Sequence, residues 1–266
     1  MTYSVVTTFN DTGYKQYGQR MIQTFLKNWP AEVELLVYAE NCTVTESAAN
    51  LKIFDLEQAS SALVQFKNQY RKDPRANGQS PDPLRKDANK AFKWDAIRFS
   101  HKVYAIAAAA AQCNNEWLVW MDADMVCHSP ITVADLDKLC PSDKDLCFLG
   151  RKNKFSECGL YAMHIALPTT RMFLQKFQGM YDQAETGIFT LTEWHDSFVF
   201  DAVRKKLSLN ELDWTGHIIT GEGHPLINSD WGKYLDHLKG KRKQLGHSYS
   251  KDLINARSES YWRSVG

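Results

Sequence analysis

Nothing in this sequence is apolar for long enough to cross a bilayer. The longest nearly apolar stretch runs from Val103 to Ala111, well short of the roughly 20 residues a spanning helix needs. The N-terminus, Met1-Thr2-Tyr3-Ser4-Val5-Val6, has no basic segment followed by an apolar run, so no secretory signal is recognised. Charge of one sign is also missing. The formal net charge is +1, and that balance alone makes no electrostatic case for a nucleic-acid or membrane partner. The six cysteines, at 42, 113, 127, 140, 147 and 158, form no Cys-x-x-Cys pair. Without secretory signals they read as reduced thiols, several of them buried. Internal repeats and low-complexity segments are absent too. What is present, 266 residues of which 44 % are hydrophobic and 24 % charged, is ordinary for a soluble globular chain with room for a large core. A cytoplasmic, soluble protein is expected.

The chain opens with Ser4-Val5-Val6-Thr7-Thr8-Phe9, a β-branched run that reads as a buried strand. Asn10-Asp11-Thr12-Gly13 follows as turn or helix-cap chemistry. Met21, Ile22, Phe25, Leu26 and Trp29 then recur at helical spacing until Pro30. A second strand fits Val33 to Tyr38, and Leu51-Lys52-Ile53-Phe54 fits a third. Strand, helix and strand with short connections open a doubly wound parallel sheet. From Lys67 to Lys90 the sequence is polar and proline-punctuated, and reads as a long exposed loop within the same domain. Phe92, Ala96, Phe99, Val103, Ile106 and Ala110 mark the next helix face, with Asp95, Arg98 and Lys102 beside it. Trp117-Leu118-Val119-Trp120-Met121 is apolar on both faces and belongs in the middle of a parallel sheet. Further strands are expected near Phe148 and through Leu160-Tyr161-Ala162-Met163, and helices around 169–182 and 196–206. A polar, loop-rich tail is expected from about 210 onward.

Asp122-Ala123-Asp124 follows that central strand directly. Ligands of open α/β sheets bind at the carboxyl ends of the strands. Two carboxylates one residue apart at such an end converge on a hard divalent cation and leave coordination sites for phosphate oxygens. That suits a diphosphate leaving group, whose charge the cation neutralises as the bond breaks. The same residues, with Met125 and Val126, also match the Asp-x-Asp-x-(Thr/Val) motif of haloacid-dehalogenase-type phosphatases, in which the first Asp is the nucleophile. That family places the motif on its first strand, whereas here a whole strand–helix–strand unit precedes it.

The ordered motifs resemble those of retaining glycosyltransferases with the GT-A fold, of the glycogenin and lipopolysaccharide galactosyltransferase type. The opening Val6-Thr7-Thr8-Phe9-Asn10-Asp11-Thr12-Gly13-Tyr14 is similar to that family's first strand and loop. By this resemblance Thr8, Asn10 and Tyr14 would hold the nucleotide base and ribose, and Lys102 the donor phosphates or sugar. Trp120-Met121-Asp122-Ala123-Asp124 resembles the metal motif, with Ala123 in the donor site. His237-Leu238-Lys239-Gly240-Lys241-Arg242-Lys243 resembles the family's His-x-x-Gly-x-x-Lys segment. It would make His237 the third metal ligand and Lys243 the diphosphate partner, with Gly240 allowing close backbone approach to phosphate. The structural alternative for that segment is a basic surface run beside a histidine.

The match departs from the family in the middle. Glu157-Cys158-Gly159 stands where relatives carry Asn-Ser-Gly, and Trp194-His195-Asp196 where they carry Asp-Gln-Asp. Sugar and acceptor identity are therefore not carried over. Read on its own, Glu193-Trp194-His195-Asp196 is either a helix cap or an acid cluster facing a pocket, able to bind sugar hydroxyls or steady an oxocarbenium-like transition state. Asp196 is the preferred catalytic candidate, with Glu193 and His195 beside it. Trp29, Trp94, Trp117 and Trp120 fit apolar faces. Trp194, Trp214 and Trp231 lie in loop-like segments where they are expected to stack on an acceptor ring. Lys233, Lys239, Lys241, Arg242 and Lys243 form a basic group suited to an anionic acceptor or the donor diphosphate, and Arg71, Lys72, Arg75, Arg85 and Lys86 lie in the 67–90 segment.

The expected fold is a GT-A-like, Rossmann-like three-layer α/β/α sandwich with a mixed, mainly parallel sheet, in one domain spanning 1–266. Residues 1–128 would form the nucleotide-sugar half. Residues 129–266 would form the acceptor half, with the C-terminal metal and diphosphate segment. The expected reaction moves a hexosyl or pentosyl group from a nucleoside-diphosphate sugar, a UDP-sugar in the first place, to a hydroxyl with retention. It would use Mn²⁺ or Mg²⁺ on Asp122, Asp124 and His237. The acceptor is a saccharide or a modified nucleic-acid base. The alternatives are the phosphatase, with Asp122 as nucleophile, and a non-catalytic nucleotide-sugar-binding module.

Overall fold

The structure, a computed structural model, describes residues 1–82, 88–218 and 223–264. The β-branched opening forms an inner strand, β1 (Tyr3–Asn10), with β2 (Glu34–Glu40) and then β3 (Leu51–Asp55) parallel to it on one side. On the other side β4 (Trp117–Met121) is also parallel to β1, and all of its residues are buried, as a strand apolar on both faces requires. Beyond β4 the sheet turns antiparallel. β7 (Glu157–His164) runs against β4, β6 (Leu146–Leu149) runs against β7, and β8 (Glu211–Asp213) closes the edge parallel to β6. The order is β3-β2-β1-β4-β7-β6-β8. A separate antiparallel ribbon joins β5 (Met125–Cys127) to β9 (Leu235–His237).

Alternate strand residues point to opposite faces, and both faces are covered. Val6, Leu36, Leu118, Trp120 and Tyr161 pack in one cluster with residues of the helices Ser61–Tyr70, Ala96–Gln112, Pro168–Asp182 and Asp196–Arg204. Val5, Leu35, Val119, Met121 and Ala162 pack in another with residues of the helices Gln19–Asn28 and Val133–Leu139 and with Trp214, Leu226 and Trp231 of the tail. The result is the expected α/β/α sandwich with a mixed, mainly parallel sheet. Its long helix starts at Ala96, where the Asp95 side chain accepts from the Arg98 N–H. Phe92, expected on that helix face, precedes it in a short 3₁₀ segment and is exposed.

Two expectations about loops are corrected. The segment 67–90 is not one long exposed loop. The helix Ser61–Tyr70, capped by Ser60, enters it, and Pro74–Asn77 forms a tight turn closed by Gly78 at φ 91°. Ala76 is fully buried there, and Arg75 pairs with Asp73 at 2.7 Å and Glu185 at 2.9 Å. A single small apolar residue anchors this turn, too weak a signal to show in a polar stretch. Arg85 and Lys86 lie outside the described residues. Trp194, Trp214 and Trp231 do not stand open to an acceptor ring; they are 1 %, 6 % and 0 % exposed. Trp231 stacks on Trp29 and meets Trp214 edge-on at 5.2 Å. The tail is irregular in backbone, yet it covers one face of the sheet. All six cysteines are free, and among the described residues no helix is long and apolar enough to cross a membrane.

Candidate active site

Strand order puts a crevice where β1 and β4 lie side by side while their connections leave in opposite directions, the switch point at which doubly wound sheets bind ligands. β4 ends at Met121. Asp122 then donates its N–H to Gly159 O of β7 at 2.8 Å, and Met125 closes a turn onto Asp122 O at 3.2 Å. Asp122-Ala123-Asp124 is thereby held at the carboxyl end of the sheet. The β5–β9 ribbon pairs Met125 with His237, and Leu238 N–H donates to Asp124 O at 2.9 Å. A histidine 113 residues away is delivered to the motif by backbone pairing. Its Nε2 lies 3.1 Å from Asp124 Oδ1 and 3.8 Å from Asp122 Oδ2. One oxygen of each Asp and one nitrogen of His237 fall within 4.8 Å of one another.

This donor set fits a divalent cation. Gly159 supports the fit, because a Cβ there would sit 2.5 Å from His237 Cε1; only glycine leaves room for the ring in this position. Burial and the neighbouring Asp124 raise the Asp122 carboxyl, although Lys102 opposes them. Burial would raise Asp124 too, but His237 and Lys243 outweigh it and hold that carboxyl far below the usual range. The Lys243 ammonium is 3.0 Å from Asp124 Oδ2 and 4.3 Å from the centre of the Tyr17 ring. Burial works against a charged His237, yet Asp124 raises its pKa. His237 and Lys243 thus place positive charge beside Asp122 and Asp124.

Lys102, placed by the helix Ala96–Gln112, is buried under the crevice. Its ammonium lies 3.1 Å from Asp122 Oδ1 and 2.7 Å from Asp196 Oδ2, and donates to Cys158 O. Those two carboxylates raise it well above the ordinary lysine value against the effect of burial. Trp120 Nε1–H also donates to Asp122 Oδ1, at 2.8 Å. The crevice above has a volume of about 670 Å³ and is lined by Thr8, Asn10, Lys102, Asp122, Ala123, Asp124, Asp196 and Lys243 among others. Thr8 donates to Tyr38 O at 2.6 Å, and Asn10 Oδ1 caps the following turn by accepting from Gly13 N–H.

Four sequence candidates lie elsewhere. Tyr14 is buried, its hydroxyl 2.6 Å from Glu46 Oε2, and it does not line the crevice; Tyr17, one helical turn on, does. Gly240 takes φ +63° in the turn between His237 and Lys243. Glu193 pairs with Lys93 at 2.7 Å and His195 at 3.0 Å. His195 sits among Phe92, Phe99, Phe155 and Phe198, and burial lowers its pKa. Neither Glu193 nor His195 caps the helix with its side chain. Asp196 alone of the three reaches the crevice, and burial there is outweighed by Lys102, which holds its carboxyl below the usual range.

The basic group of the tail is dispersed into ion pairs: Lys233 with Asp230, Lys239 with Glu157, Arg242 with Asp252 and Lys243 with Asp124. Sequence reasoning passed over Glu157 and His224. Glu157 is 3 % exposed and bound by Lys239 at 2.8 and 3.0 Å. Burial would raise it, but Lys239 and the neighbouring histidines and Arg151 hold it well below the carboxylate range. Burial pushes His224 down to about 3. An acid opening an otherwise apolar strand was the available signal for Glu157. His224, beside a proline in a polar stretch, carried none. Both line a second cavity, of about 970 Å³.

Fold and site together define a doubly wound α/β protein with a carboxylate–imidazole cluster at its switch point whose donor set fits a divalent cation, flanked by a lysine. No family model and no curated protein matches the chain. Among solved structures it is similar to the bifunctional glycosyltransferase WbbM, at 10 % identity and TM-score 0.47, over 80 % of this chain and 39 % of that one. It is similar to the glycosyltransferase GlyE of Streptococcus pneumoniae TIGR4 at 9 % identity and TM-score 0.46, over 80 % of this chain and 45 % of that one. A glycosyltransferase involved in glycosylation of the major capsid of PBCV-1 gives 8 % identity and TM-score 0.49, over 92 % and 100 %. The chain spans less than half the length of the first two. Identities this low leave the site itself as the ground for a functional reading.

Proposed function

We propose that this chain is a cation-dependent glycosyltransferase that uses a nucleoside-diphosphate sugar and retains the anomeric configuration. The observation that carries the reading is the convergence of Asp122, Asp124, His237 and Lys243, from separate segments, at the switch-point crevice. Asp122, Asp124 and His237 would hold Mn²⁺ or Mg²⁺, which would supply charge neutralisation for a diphosphate leaving group. The chain's own groups do the rest. Lys243 leaves Asp124 to pair with the diphosphate, Thr8 and Asn10 face the nucleoside end, and Lys102 holds Asp122 and Asp196 at fixed distances. Asp196, which lines the crevice, would meet the sugar. Leaving-group stabilisation by fixed positive charge dominates over any general base. A phosphatase of the haloacid-dehalogenase type carries this motif on its first strand; here it follows β4, after three other strands in the chain.

Residues 1–128 form the donor half and 129–266 the acceptor half in this reading, and the free thiols suit a cytoplasmic setting. The acceptor is a hydroxyl of a saccharide or of a modified nucleic-acid base. A steep loss of activity on a polymeric acceptor as salt rises would mark the latter. The deciding experiment incubates the protein with Mn²⁺ and a panel of UDP-, GDP- and other nucleotide hexoses and pentoses, and reads free nucleoside diphosphate. Slow hydrolysis of one donor, abolished in Asp124→Ala, is expected. No donor consumed, and no Mn²⁺-dependent donor binding by calorimetry, would sink the proposal. Binding without consumption would leave the non-catalytic module.

A further inference from the structure

The His237 ring has two nitrogens, and only Nε2 faces Asp122 and Asp124. On its other side Nδ1 faces Glu157 at 3.9 Å. His224 lies against it edge-on, ring centres 5.1 Å apart. A carboxylate oxygen of Glu157, a nitrogen of His224 and a nitrogen of His237 fall within 4.8 Å of one another. Three of the imidazole nitrogens here, His237 Nδ1 and both of His224, are buried and have no hydrogen-bond partner among the described residues. Buried polar atoms are nearly always satisfied, and each exception calls for a physical reason. His237 Nδ1 facing a buried carboxylate, with a nitrogen of His224 within reach of both, is a donor set that a cation would satisfy.

We propose that Glu157, His224 and Nδ1 of His237 form a second divalent-cation site, of zinc type, distinct from the site on Asp122 and Asp124. The donors choose the metal. Two imidazoles and one carboxylate suit zinc and its neighbours, with a fourth position open. Two carboxylates and one imidazole suit Mn²⁺ or Mg²⁺ with phosphate. The roughly 970 Å³ cavity lined by Glu157 and His224 gives the ion a way in. The backbone holds its ligands: Glu157 begins β7, His237 ends β9, and His224 N–H donates to Asp252 O at 3.1 Å.

Two consequences follow. A neutral imidazole has one lone pair and one N–H, so His237 serves one cation at a time while it keeps its ring proton. Zinc at the second site therefore antagonises Mn²⁺ at the first, a consequence that rests on the reading of Asp122 and Asp124 as a cation site. Lys239 also competes for Glu157, bonded to both its oxygens, and its side chain is 53 % exposed and free to swing away. Its removal tightens zinc binding.

The test uses Zn²⁺ and Co²⁺ alone. In Asp122→Asn/Asp124→Asn, which disables the first site, Co²⁺ should still bind with the strong visible absorption of a four-coordinate, nitrogen-containing site. Loss of an outer partner weakens metal sites about 10–100-fold, so adding His224→Ala should weaken Zn²⁺ binding by about 100-fold or more and erase that absorption. Lys239→Ala in the same background should strengthen it. His224→Gln in the otherwise unchanged protein, checked for folding by circular dichroism, should abolish the antagonism of Mn²⁺ by Zn²⁺. Co²⁺ absorption that survives His224→Ala, or is absent while Asp122 and Asp124 are disabled in a folded protein, overturns the second site. Failure of wild-type Mn²⁺ binding would instead overturn the first site, and leaves the His224 comparison intact.

Discussion

Replacing Gly159 by alanine isolates the geometry of His237 without touching a ligand. An added Cβ would lie 2.5 Å from His237 Cε1, 2.9 Å from Nδ1 and 3.1 Å from Met125 Cε. Ordinary carbon contacts are about 3.5–4.0 Å, so the ring must retreat by about 1 Å. It cannot do so with its backbone, because β9 is paired with β5 in the register Met125 to His237. The strain of overpacking is expected to cost about 1–3 kcal/mol of stability. The displaced ring should weaken Mn²⁺ binding about 10–100-fold, the scale on which a mis-set ligand acts. Mn²⁺ affinity is read from free-ion electron paramagnetic resonance, and stability from urea unfolding of the metal-free protein. Gly179→Ala is the control: a Cβ there meets nothing within 4 Å, so Mn²⁺ affinity should be unchanged. Its stability should rise by up to about 1 kcal/mol, because the site is inside the helix Pro168–Asp182. Unchanged Mn²⁺ affinity in a Gly159→Ala protein that has lost the expected stability would refute His237 as a ligand.

The pH dependence runs in two directions. His237 has a raised pKa, so its pairing with Asp124 stabilises the metal-free protein fully below the ordinary value of about 6.5 and is lost as pH rises through the raised value. Mn²⁺ affinity should rise over that same window as the proton leaves; affinity that is flat in pH there would count against the ligand. Lys102→Met leaves Asp122 and Asp196 buried without their cation and should destabilise the metal-free protein by about 3–5 kcal/mol, part of it recovered on adding Mn²⁺ in urea unfolding. Trp231→Ala, at a fully buried position stacked on Trp29, should cost about 3–5 kcal/mol. A loss under about 1 kcal/mol by calorimetry would mean the tail is not part of the core.

The strand–helix–strand opening, the long helix and the central strand were legible because each is a local pattern. Alternation or helical spacing of apolar residues shows which face will be buried, whatever the partner. Asp122 and Asp124 were legible for the same reason: acids immediately after Trp117–Met121 can only stand at a buried strand end. His237 and Lys243 were reached through spacing alone, by resemblance. Where local pattern was weak, the expectations failed. Trp214 and Trp231 sit in polar, irregular sequence, yet hydrophobic burial needs only an apolar surface to cover, and the second face of the sheet provides it. The 67–90 segment was read as open for the converse reason, since a lone Ala76 does not announce a buried turn.

By itself the sequence determined which segments bury which faces, and that two acids end the central strand. Only the tertiary structure decided what those acids meet. The β1–β4–β7 order and the β5–β9 pairing bring Lys102, Asp196, His237 and Lys243 to Asp122 and Asp124. They also set Glu157 and His224 against the far side of the His237 ring. The reason is physical. Apolar periodicity is a property of neighbouring residues, whereas charge, coordination and pKa depend on distances between atoms far apart in the chain, and those exist only once the sheet has chosen its order.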